Sequence, residues 1–186
     1  TQIEKAAEQF KKGKDEDLCY ALKFAVLTSL SVSDKYKAID YGKMNVAELE
    51  KSSTPHANYL SHAFLGAMRL PYRNSDKITE GFQYYTEKLN QYKRTKDSIG
   101  LTNCYYVLGG FYRTIGLYEP AIYNMKKSIS YLDSTDIAGY RYLDFTVLIG
   151  ITGWINNSLV LTEYITQTGD YEKAITQGKR MLKKSI

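Results

Sequence analysis

Leu101, Tyr105, Leu108 and Tyr112 recur at i, i+4, i+7 and i+11. After a short interruption, Ile122, Met125, Ile129 and Leu132 form a second stripe of the same kind. This spacing gathers apolar side chains on one face of an α-helix and does not fit the alternation of a strand. Between the stripes lies Gly116-Leu117-Tyr118-Glu119-Pro120-Ala121-Ile122. A glycine there can take positive φ and end the first helix. Pro120 falls in the first turn of the second helix, where its missing N–H costs nothing. Two helices joined by a short glycine turn make an αα-hairpin. Gly109 lies along the first helix where a side chain would keep the pair apart, so the pattern predicts that Gly109 and Ala121 face each other.

The interrupting segment has counterparts at 33–39, 76–82 and 169–175. Each reads as a turn, an aromatic or apolar residue, charges, then a small residue followed by an apolar one. The small residues are Ala38, Gly81, Ala121 and Ala174, at intervals of 43, 40 and 53 residues. Ala6 and Phe10 mark a weaker fifth copy. Other punctuation agrees with helices. Pro55, after Ser52-Ser53-Thr54, marks a boundary before a helix from about His56 to Arg69, which Pro71 closes. Asp133-Ser134-Thr135-Asp136 offers N-caps after a helix ending at Tyr131-Leu132. The long last interval predicts a helical, largely buried extension over Asp136 to Gly153, with Trp154 at least partly buried.

Tyr105, Leu108, Gly109, Tyr112, Gly116, Tyr118, Ala121 and Met125 resemble the signature of the tetratricopeptide repeat family. Gly169, Asp170, Tyr171 and Ala174 resemble it again, with Thr162 where the family prefers a small residue. In the first two copies Ser33 replaces the turn glycine and Gly81 the packing alanine. The resemblance implies an all-α fold, a right-handed superhelical solenoid of about four to five antiparallel helix pairs, forming one domain over residues 1–186. The copies are longer than the family's usual repeat of about 34 residues. With the linker Thr95-Lys96-Asp97-Ser98-Ile99-Gly100, they look like the helical-repeat segments of bacterial, Bacteroidetes-like, sensor and regulatory proteins. Thr1 opens directly into a helical pattern and the chain stops in a basic helix, so a fragment of a longer protein is expected.

Composition narrows the function. Hydrophobic residues make up 44% and charged residues 24%, which argues against disorder. The 18 tyrosines suit helix seams that border water, being apolar bodies with polar tips. The net charge of +5 comes with basic residues at both chain ends, Lys11, Lys12 and Lys14, then Lys179, Arg180, Lys183 and Lys184. No reading motif accompanies them, so no nucleic-acid partner is expected. The apolar run Leu143 to Leu161 contains Asp144, Asn156, Asn157, Ser158 and two glycines, too polar for a membrane span, so no membrane insertion is expected. No leader pattern opens the chain. An extracytoplasmic, periplasmic sensor segment is preferred to a cytoplasmic one.

Catalytic constellations are missing. His56 and His62 are six residues apart and point about 120 degrees apart on a helix, unlike a zinc pair at i, i+4. Cys19 and Cys104 sit in apolar helical contexts and read as buried small hydrophobes. A disulfide between them is left open. There is no Cys-x-x-Cys. Gly109-Gly110 lacks the Lys-Ser or Lys-Thr of a phosphate loop. Asp15-Glu16-Asp17 reads as favourable charge at a helix start. The sequon Asn156-Asn157-Ser158 falls inside a helical pattern. A non-enzyme with no cofactor and no metal is therefore expected, binding a protein or peptide.

By the family's pattern the first helix of each pair lines the concave face. That places Asn103, Tyr106, Gly110 and Arg113 there from the third pair, and Asn156, Leu159, Glu163 and Thr166 from the fourth. Tyr and Arg dominate binding hot spots, so Tyr106 and Arg113 lead. Asn103 and Asn156 suit the backbone of an extended peptide, and Glu163 completes the set. The open edges of such a stack also allow a homo-oligomer. The expected role is the sensor or interaction segment of a signal-transduction protein. The alternatives are a structural scaffold or assembly factor, or a helical domain attached to an enzyme.

Overall fold

The computed structural model describes residues 2–12, 16–53, 56–133 and 151–185. Every regular element among them is a helix. In order they are α1 (Gln2–Lys12), α2 (Glu16–Ser33), α3 (Lys35–Leu49), α4 (Ala57–Ala67), α5 (Arg69–Arg73), α6 (Ile78–Thr95), α7 (Ser98–Thr114), α8 (Tyr118–Asp133), α9 (Ile151–Gln167) and α10 (Tyr171–Ser185). The chain divides into two compact units, Thr1–Gly81 and Phe82–Ile186. α6 starts in the first and runs into the second.

Each recurrent segment opens a helix: α3, α6, α8 and α10. The small residues Ala38, Gly81, Ala121 and Ala174 are all buried. The openings have local causes. Asp34 accepts the N–H of Lys37 at 3.1 Å, and Asp170 accepts that of Lys173, also at 3.1 Å. Each lysine returns an ammonium to the same aspartate. These bonds hold both carboxyls below the usual carboxylate range, led by the backbone N–H at Asp34 and by the lysine side chain at Asp170.

The turns are equally specific. Gly116 has φ 80° and Gly169 φ 82°. At Gly116 the N–H of Leu117 reaches the Tyr112 carbonyl and that of Gly116 the Arg113 carbonyl, the paired bonds of a Schellman motif. Between α6 and α7 the left-handed residue is Lys96, with φ 56°. There the N–H of Asp97 bonds the Tyr92 carbonyl at 3.0 Å. The Asp97 carboxylate accepts the N–H groups of Ile99 and Gly100 at 3.1 and 2.9 Å, capping α7.

In the first unit α1 packs on α2, α2 on α3, and α3 on α4 and α5. Gly42 of α3 lies against Met68, where an added Cβ would fall 2.4 Å from the thioether. Phe24 and Phe64 meet edge to face at 5.5 Å. Pro71 does not close the helix before it. α4 ends at Ala67, and Pro71 sits inside the first turn of α5. A first-turn N–H has no partner within the helix, so proline is accommodated there instead of acting as a stop.

In the second unit α7 and α8 form the expected hairpin. A Cβ on Gly109 would lie 3.2 Å from the Ala121 carbonyl oxygen, so the two do face each other across the seam. α6 meets α7 through rings: Phe82 and Tyr85 lie 5.4 and 5.6 Å from Phe111. Ala121, Met125 and Ile129 of α8, with Leu161 and Ile165 of α9 and Ala174 of α10, form one core. The expectations placed on Asp15, Pro55, residues 134–150 and the side chain of Trp154 lie outside the described residues.

Candidate partner-binding surface

Arg113 lies in the last turn of α7 and Glu163 on α9. The structure joins them: the Arg113 guanidinium pairs with the Glu163 carboxylate. It also lies 5.4 Å over the ring of Tyr164, a cation–π arrangement. Glu163 accepts a second hydrogen bond from Gln167 at 3.2 Å. The Arg113 Nε is buried with no hydrogen-bond partner. Arginine in a last turn also complements the negative end of the helix. Tyr106, two turns earlier on α7, is half-buried and packs against the α8–α10 core. Asn103 is half-buried.

Two further positions differ in character. Leu159 of α9 is 51% exposed, an apolar side chain presented to solvent. Gly110 is buried and offers no surface, because α7 turns that position toward the interior. Thr166 spends its hydroxyl on the Thr162 carbonyl. Asn156 falls within α9, and its side chain lies outside the described residues.

A buried polar seam also joins α7, α8 and α9. Ser128 donates to the Thr102 carbonyl at 3.0 Å, and Asn157 donates to Ser128 at 3.0 Å. The chain α7–α8–α9 is thus fixed in register by directional bonds, each worth more where water is excluded. Sequence reasoning missed this seam and the Tyr164 platform. Asn157 and Ser158 of the sequon are buried, while the side chain of its acceptor, Asn156, lies outside the described residues.

The first unit holds a charged cluster that the sequence reading also missed. Glu48 accepts from Lys11 at 2.7 Å and from Lys23 at 2.9 Å. Lys23 also sits 4.9 Å over the Tyr20 ring. Burial alone would raise the Glu48 carboxyl, but the two lysines outweigh it and hold its pKa at about 2. Burial pushes the Tyr41 phenol up to about 12. It pushes the Cys19 thiol up as well, against the pull of Lys23. A thiol kept protonated is a poor nucleophile. Cys19 and Cys104 are both buried, and neither is in a disulfide.

His62 is buried in α4, and His56 stands at its N-terminus. Among the described residues no three His, Cys, Asp or Glu side chains come together to hold a metal ion. No described helix is long and apolar enough to cross a membrane. Comparison of the chain with family models, curated proteins and solved structures returned no match.

Proposed function

We propose that this chain is a tetratricopeptide-like repeat that binds a protein or an extended peptide without catalysing a reaction. Its helix pairs would stack as a right-handed superhelical solenoid, and the chain would serve as the interaction segment of a bacterial signalling or regulatory protein. One observation carries the reading. Residues on the first helices of two successive pairs, α7 and α9, meet at Arg113 and Glu163, with half-buried Tyr106 two turns before Arg113 on α7 and exposed Leu159 one turn before Glu163 on α9. An arginine pre-oriented on a ring and a carboxylate, bordered by aromatic and aliphatic surface, has the composition of a binding hot spot.

The test begins with capture of a partner by the intact protein. Calorimetry then compares wild type with Arg113→Ala, which removes the half-buried guanidinium, with Leu159→Ala, which trims an exposed side chain, and with Tyr106→Phe, which keeps the packing. Loss of a true hot spot costs about 2 kcal/mol or more. Unchanged affinity in a still-folded Arg113→Ala, Leu159→Ala double variant would place binding elsewhere.

A further inference from the structure

The contact between Arg113 and Glu163 leaves hydrogen-bonding capacity unused on both sides. One carboxylate oxygen, Oε1, accepts both bonds, from Arg113 and from Gln167. Oε2 accepts none among the described residues, and the Glu163 side chain is 48% exposed. Arg113 bonds through one nitrogen, Nη2. A guanidinium is a planar fork of N–H donors, and a bidentate pair would engage both oxygens at once. Here Nε is buried without a partner, yet 34% of the side chain reaches solvent. The other Nη donors meet no acceptor among the described residues. The Tyr164 ring and the burial of Nε restrict rotation of the guanidinium. Two helices thus present, side by side, N–H groups that lack an acceptor and an oxygen that lacks a donor.

Charge narrows the occupant. The carboxylate and the guanidinium cancel. A carboxylate brought to Arg113 meets Glu163, and an ammonium brought to Glu163 meets Arg113, so either suffers like-charge repulsion. An uncharged group holding a donor and an acceptor together suffers neither, and an amide is such a group. In an extended chain the N–H and C=O of one residue point the same way, as in the doubly bonded pairs of an antiparallel ladder. In an α-helix both are already bonded internally. Leu159, one turn before Glu163, is 51% exposed and offers apolar contact to a neighbouring side chain. We infer that the Arg113–Glu163 pair selects an uncharged, extended stretch of the partner peptide: the backbone N–H of one residue donates to Glu163 Oε2, and its C=O accepts from an Arg113 Nη. This rests on the peptide-binding reading above and adds the chemistry of the occupant.

The probes are four leucine derivatives titrated into the full chain. Acetyl-leucine methylamide is neutral and carries both backbone groups. Acetyl-leucine carries a carboxylate, leucine methylamide an ammonium, and acetyl-N-methylleucine methylamide lacks the leucine N–H. Nuclear magnetic resonance follows the Arg113 Nε–H signal, assigned by its loss in Arg113→Ala, and the Leu159 methyl groups. The neutral probe should bind saturably with Kd of about 1–10 mM, the range open to a fragment of its size. Each of the other three should bind at least about fivefold more weakly. Glu163→Gln leaves Arg113 without its counter-charge, so acetyl-leucine should then overtake the neutral probe. Circular dichroism confirms that this variant is folded, and the ranking in the wild type needs no variant. A charged probe that binds the wild type as tightly as the neutral one overturns the inference, and so does indifference to N-methylation or a ranking that Glu163→Gln leaves unchanged. In those cases binding at this surface persists and the broader reading stands. No saturable shift with any probe overturns the inference and the placement of the binding surface together.

Discussion

Glu48→Gln keeps the shape of the side chain and removes the charge that two lysines share. At close range a unit pair attracts by about 4 kcal/mol in a medium of intermediate dielectric, before desolvation is subtracted. Exposed pairs keep about 0–1 kcal/mol of that, whereas breaking a buried one costs about 3–5 kcal/mol. The Lys23 side chain is 9% exposed and that of Glu48 33%, so this pair lies between the limits. A loss of about 2 kcal/mol follows, most of it from leaving the Lys23 ammonium buried without its counter-charge. The pH dependence has a definite sign. The folded carboxyl titrates at about 2, below the ordinary value of 4.5, so its stabilisation is whole above pH 4.5 and is lost as pH falls toward 2. Urea unfolding followed by helical circular dichroism should therefore show the largest gap between wild type and variant at neutral pH. That gap should close across the same acidic window. A neutral-pH gap under about 0.5 kcal/mol, or one that survives acidification, would refute the reasoning. Adding Lys23→Met to Glu48→Gln should recover part of the loss, since the stranded cation is then gone.

Other substitutions test the helix seams and turns. Ala121→Leu should overpack the contact with Gly109 and lower stability by about 1–3 kcal/mol in the same unfolding assay. Gly178→Ala meets only open space within a helix and should raise stability by about 0.5–1 kcal/mol, read as a later thermal transition. Lys96→Gly should also stabilise, by about 0.5–1 kcal/mol, because glycine takes the left-handed conformation without the Cβ penalty.

Local chemistry was legible in the sequence. Gly116 and Gly169 take positive φ where the turn pattern placed them, and the four small residues that follow the turns are buried. These features depend on neighbours within a few residues, which a chain displays directly. Pro71 was misjudged as closing a helix that runs to about Arg69, because its missing N–H acts four residues back: α4 ends at Ala67, beside Gly66, and Pro71 itself falls in the first turn of α5. The Lys11–Lys23–Glu48 cluster and the Arg113–Glu163 pair were illegible as contacts. Their partners are 25 to 50 residues apart, on helices whose rotation depends on packing. Arg113 and Glu163 were each picked out as surface residues, but nothing in the periodicity shows that they meet. Gly110 was assigned to the surface by its place in a pattern, and a one-residue step along a helix turns a position by about 100 degrees.

The joint at Lys96 and Asp97 has a mechanical consequence. Asp97 closes the end of α6 through its N–H to Tyr92 and holds the first turn of α7 with its carboxylate. The ring of the same Tyr92 lies so close to Gly100 that an added Cβ would fall 2.5 Å from it. Peeling α6 from its C-terminal end must therefore release the latch on α7 in the same movement. Unwinding that arrives at this joint passes through it, and a protease that needs a frayed helix end finds none there until both helices open together.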